Sequence, residues 1–134
     1  MRIAWLLPVV VSLATAPAMA QDPVKVDPKH CKVEFENTPV RVLRFTVGVH
    51  EKLPMHEHPA SVLISLTDSH TKEIFPDGKE ADRQVKAGEV RWRDAVKHAN
   101  ENLGDKPTES IVVELKGKAA AKPAAKAPAK KKTM

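Results

Sequence analysis

The chain has 134 residues, a formal charge of +5, 42% apolar residues and one cysteine. One cysteine excludes an intramolecular disulfide framework, and five scattered glycines in no G-x-G-x-x-G or Walker spacing exclude a phosphate-binding loop. Tyrosine is absent, which removes that side chain as an acid or base.

In chain order, residues 1–20 begin with Arg2, run apolar from Ile3 to Leu13 and end in Ala18-Met19-Ala20, the small-x-small pattern cut by signal peptidase. This predicts a signal peptide, a mature chain starting at Gln21 and a periplasmic or secreted location. The apolar run contains Pro8 and falls short of the roughly twenty residues that span a bilayer, which argues against an anchor. Residues 21–39 are expected to form an N-terminal arm. Within it, Cys31 reads as an inert thiol and His30 as a surface residue, a metal half-site there having no matching second pair.

Residues 40–117 carry the folded pattern. Leu43, Phe45, Val47 and Val49 alternate, as do Val62, Ile64 and Leu66, and both segments read as half-buried strands. Thr71 to Phe75 and Arg83 to Lys86 flank Pro76-Asp77-Gly78, a hairpin signal. Gly88 allows a turn before a strand at Val90 to Arg93. Ile111, Val113 and Leu115 alternate in a last strand that sets Glu114 on the opposite face. Short strands at this spacing, without a long amphipathic helix, predict an all-β sandwich or barrel.

Residues 118–134 are almost entirely Lys, Ala and Pro without an acidic residue, and are expected to be a disordered tail. The tail holds six of the 22 basic residues and the leader one. Fifteen therefore remain against all 17 acidic residues, and the stretch between carries −2. That balance does not ask for nucleic acid as a partner of the folded core. The lysine-rich tail is suited either to contact anionic envelope surfaces or to act as a solubilising tether.

The chemistry lies in the histidines. His56 and His58, two apart on an extended segment, point the same way, and His98 with Asn102 follows forty residues later, so three imidazoles from distant segments could meet at one metal ion. A Ser61-based triad lacks the G-x-S-x-G elbow. Glu51 and Glu101 read as surface carboxylates. His50 and His70 fall in polar loops and turns, and Met55 reads as filler at the barrel mouth. Trp92, between Arg91 and Arg93, either faces inward as a pocket wall or turns outward and gives the interior to the arginines. Core packing is the default for such a ring.

The stretches "VRVLRFTVGVHEKLPMHEHPASVLISL" and "KAGEVRWRDAVKHANENLGDKP", with Gly48, His56-x-His58, Gly88, Trp92 and His98-x3-Asn102, resemble the two-motif signature of the cupin superfamily of small jelly-roll barrels. The resemblance covers roughly Val40 to Leu115. It implies a double-stranded β-helix, His56, His58 and His98 as metal ligands, Asn102 as a hydrogen-bonding residue, and homodimers paired through sheet edges. The family glutamate four or five residues after the second histidine falls here on Val62 or Leu63. Regular strand parity would turn Val62 into the same interior as His56 and His58, a hydrocarbon in place of a carboxylate, and would turn Glu57 to solvent.

Three neutral imidazoles with open positions suit Zn, Fe, Ni, Cu or Mn. Two functional classes follow: a metal-binding barrel with a small-molecule ligand, or a metal-dependent enzyme such as a dioxygenase or a small hydrolase or isomerase. A metal-free structural or interaction barrel is the third. Short loops leave little chain for an elaborate substrate site, which favours binding.

Overall fold

The computed structural model describes residues 21–117; the expected leader and lysine-rich tail lie outside the described residues. One helical turn, α1 (Pro23–Val26), precedes nine strands: β1 (Cys31–Glu36), β2 (Val40–Val47), β3 (Lys52–His58), β4 (Ser61–Ser65), β5 (Ser69–Ile74), β6 (Glu80–Val85), β7 (Val90–Arg93), β8 (Val96–Asn102) and β9 (Thr108–Leu115). They form two antiparallel sheets, five-stranded β1-β2-β9-β4-β7 and four-stranded β3-β8-β5-β6. This is the expected all-β jelly roll. Strands consecutive in sequence mostly alternate between the sheets, so side chains far apart in the chain share one interior.

Alternation along β2 buries Leu43, Phe45 and Val47. With Cys31, Leu53 and Val112 they make the core, against which Val24 and Leu63 pack. The β5–β6 hairpin forms around the expected turn, where Gly78 has φ 81°, in the left-handed region that a side chain resists. Asn102, fully buried, sits where the motif placed it as a hydrogen-bonding residue. Its Nδ2 donates to the carbonyls of Val47, Gly48 and Lys106, and its Oδ1 accepts from Gly104 N.

Two strands have the reverse of the expected facing. In β4, Ser61, Leu63 and Ser65 line the interior and Val62 lies on the outer face. In β9, Val112 and Glu114 are buried inward while Ile111, Val113 and Leu115 face out. The cause is an apolar outer surface. Phe35, Val42, Val113, Val62 and Trp92 are register partners in one row across all five strands of the larger sheet. Hydrophobic alternation marks an apolar face without saying which side of the sheet it covers. Trp92 belongs to that outer row, its Nε1 donating to Asp94 Oδ1 at 3.0 Å, and Arg91 and Arg93 take the interior instead.

The N-terminal segment is tied down by charge. Asp22 caps α1 through the backbone N–H of Val24 and Lys25, and also accepts from Arg41 Nη1 at 2.5 Å. His30, expected at the surface, is buried: its Nδ1 lies 2.7 Å from Asp27 Oδ2 and its Nε2 2.8 Å from Glu51 Oε2. Two carboxylates satisfy both ring nitrogens, which is what permits the burial. Cys31 is buried beside it, and desolvation pushes its thiol up to about 12, so it carries no nucleophilic thiolate.

Candidate metal centre

A β-bulge builds the site. Along β3 the register with β8 steps from Leu53↔Asn100 to His56↔His98, three residues against two. The extra residue resets parity, so that Leu53, His56 and His58 all face inward although the first is three positions from the second. His98 then stands directly across the ladder from His56.

The three expected imidazoles meet. One ligand-capable atom from each of His56, His58 and His98 lies within 4.8 Å of the others, and all three residues are buried. The ring of His56 is 4.9 Å from that of His58 and 4.8 Å from that of His98, centroid to centroid. Phe45 backs His56 and His58 at 6.0 and 5.7 Å, forming an apolar wall behind the cluster. Small ring movements would bring the nitrogens onto an ion with bonds of about 2.1 Å.

Hydrogen bonding orients two rings for that task. His56 Nδ1 donates to the Pro54 carbonyl at 2.7 Å, and His58 Nδ1 donates to Glu114 Oε1 at 2.7 Å. With Nδ1 protonated, the lone pair of each neutral ring sits on Nε2. His98 Nδ1 is buried without a hydrogen-bond partner, its nearest carboxylate being Glu73 Oε1 at 3.6 Å. Burial lowers the His56 pKa to about 4, against the Pro54 carbonyl, with the neighbouring imidazoles lowering it further. Burial also lowers that of His98, opposed by Glu73 and assisted by Arg93. Neutral imidazoles at ordinary pH are the form that ligates a metal.

Glu73 is the group that sequence reasoning missed. It is 2% exposed, beside His98, and ion-paired with Arg93 Nη1 and with Arg83 Nε at 2.8 Å. Burial would raise its pKa, but the contacts to His98, Arg93 and Arg83 override that and hold the carboxyl well below the usual range. The segment Thr71-Lys72-Glu73-Ile74 has no motif spacing; only the pairing of β5 with β8 carries Glu73 to the histidines. Glu114 was likewise assigned to the wrong face.

The positions where the family glutamate would fall supply no carboxylate to the cluster: Val62 points outward and Leu63 faces inward as a hydrocarbon. Glu57, by contrast, sits on the solvent side of β3 and pairs with Lys97 at 3.2 Å. A cavity of about 120 Å³ adjoins the cluster, lined among others by the three histidines, Glu73, Arg91 and Arg93.

No protein-family model and no curated protein sequence matches the chain. Solved structures do resemble it. A cupin domain from Bordetella pertussis Tohama I shares 21% identity at a TM-score of 0.61, over 65% of this chain and 92% of that one. A double-stranded β-helix protein from Klebsiella pneumoniae subsp. pneumoniae MGH 78578 shares 18% at 0.53, over 66% and 77%. A Bacillus halodurans protein shares 14% at 0.54, over 71% and 76%. The chain has the cupin fold. Within that fold, its particular feature is a cluster of three buried histidines that could hold a metal ion.

Proposed function

We propose that this is an exported cupin-fold protein that holds one divalent transition metal through His56, His58 and His98 and binds a small molecule in the adjoining cavity. The observation that carries this reading is the tautomer pair: Pro54 and Glu114 occupy the Nδ1 atoms of His56 and His58, leaving both Nε2 lone pairs for a metal. A bound ion would supply Lewis-acid coordination to a ligand in the cavity.

Binding is favoured over catalysis by the state of Glu73. A general base works best with a pKa near the working pH, and against the pull of burial the contacts to His98, Arg93 and Arg83 hold this carboxylate below its ordinary range. Export rests on the leader pattern of residues 1–20. Pairing of two chains is supported by the apolar outer face of the larger sheet, where Phe35 of that row is 53% exposed and Val90, two residues before Trp92 on the same face of β7, is 61% exposed. This proposal moves the contact from the sheet edges to a sheet face.

The deciding experiment is elemental analysis of the protein purified without chelator, with His58→Ala and His98→Ala as controls. About one transition metal per chain, lost in both variants while the β-sheet circular dichroism persists, is the expected result. Stoichiometric metal in either variant overturns the site.

A further inference from the structure

The barrel interior is chemically divided. Around Phe45, Val47 and Val112 the wall is hydrocarbon, although β9 also brings Thr108, Glu109 and Ser110 to the lining. Toward β5, β6 and β7 it is polar, with Ser69, Thr71, Arg83, Arg91 and Arg93 facing the same space. The histidine cluster stands on the boundary, in contact with Phe45 on one side and close to Glu73 on the other.

Charge on the polar side is not balanced within the cavity. Three guanidinium groups meet two carboxylates, Glu73 and Glu109, and Glu109 is engaged by Arg44. Arg83 donates to Glu73 through Nε and Arg93 through one Nη; their other nitrogens have no hydrogen-bond partner among the described residues. Arg91 has only Glu89, at 3.4 Å. A divalent ion on the histidines would add two positive charges to this field. Water reaches Arg83 and Arg91, whose side chains are 41% and 30% exposed, and screens part of this charge; what remains favours an anionic occupant over a neutral one.

The shape of the donors narrows the anion. A guanidinium presents its N–H groups as a planar fork that matches a carboxylate, and here two of them already grip one carboxylate, that of Glu73. A cavity of about 120 Å³ has room for a few small groups and not for a polymer. We infer that the ligand of this site is a small organic anion whose carboxylate is received by Arg91 and Arg93 next to the histidine cluster. This rests on the metal-site reading given above. The arginines select the charge of the ligand, and the histidines hold the ion that it approaches.

The test is titration calorimetry of the zinc-loaded full chain with succinate, a weak chelator, against neutral succinamide and inorganic phosphate, repeated on Arg91→Gln and Arg93→Lys. Succinate is expected to bind at least about tenfold more tightly than succinamide, and each arginine variant to weaken succinate by about fivefold or more with zinc content unchanged. Equal affinity for succinate and succinamide, or succinate binding indifferent to both variants, overturns the inference. Phosphate binding more tightly than succinate overturns the carboxylate assignment. Failure to take up zinc overturns the metal reading instead, and the same titrations on the zinc-free protein then decide the arginine assignment by itself.

Discussion

His58 and Glu114 come from strands in different sheets, yet His58 Nδ1 donates to Glu114 Oε1 at 2.7 Å with both side chains buried. Glu114 is backed by Arg41, 3.7 Å from its other oxygen, and Arg41 in turn by Asp22 at the start of the described segment. A candidate ligand is thus oriented by a buried carboxylate whose charge is answered by an arginine.

Glu114→Gln keeps the shape of that contact and removes its charge. It is expected to weaken zinc affinity by about tenfold or more, the usual cost of losing a partner that orients a metal-bound histidine. Competition with a chromophoric chelator measures this. An unchanged affinity would mean that ring orientation owes nothing to Glu114.

Position 62 tests the facing of β4. Val62 is on the outer sheet face, so Val62→Glu places a carboxylate in solvent and should alter zinc affinity by less than about twofold. Substantially tighter binding in this variant would show that β4 is turned the other way.

Asn102 closes the loops at the end of the barrel through four hydrogen bonds while fully buried. Truncation in Asn102→Ala leaves three carbonyls and the Gly104 N–H to find other partners. We expect a loss of about 2–4 kcal/mol of unfolding free energy, measured by urea denaturation. A loss below about 0.5 kcal/mol would contradict the buried network.

The buried histidines set a pH dependence for the metal-free protein. His56 takes its proton near 6.5 when unfolded and only near 4 when folded, burial being the main cause, and His98 is shifted in the same direction. Between those values the unfolded chain binds more protons, so stability falls as pH falls from 6.5 to 4, by roughly 3 kcal/mol for His56 taken alone. Glu51, held down to about 2 by Lys29, the Gly48 N–H and His30, acts in a lower window. Its contribution is present above 4.5 and disappears as pH falls toward 2. Thermal unfolding at steps from pH 7 to 4 checks the first window, and a flat melting temperature across it would refute the histidine contribution.

The strands and the three histidines were legible in the chain because both follow local rules. Two-residue alternation marks Leu43, Phe45 and Val47 as one buried face, Pro76-Asp77-Gly78 marks a hairpin, and the spacing of His56, His58, His98 and Asn102 marks paired motifs of a jelly roll. These are short-range properties, read from residues a few positions apart.

Facing and partnership were beyond that range. Alternation in β4 and β9 is equally sharp whichever side is apolar, and only the packing of the two sheets puts Ser61, Leu63 and Glu114 inside and Val62 and Trp92 outside. Glu73 has no distinctive neighbours in the chain. It reaches His98 and Arg83 because β5 lies between β8 and β6, and Arg93 because β7 of the other sheet packs across the interior; its burial is tolerable only because two guanidinium groups arrive there with it. Periodicity says where side chains repeat along a strand; the electrostatics of the interior depends on which strands become neighbours, and that follows from the folded topology.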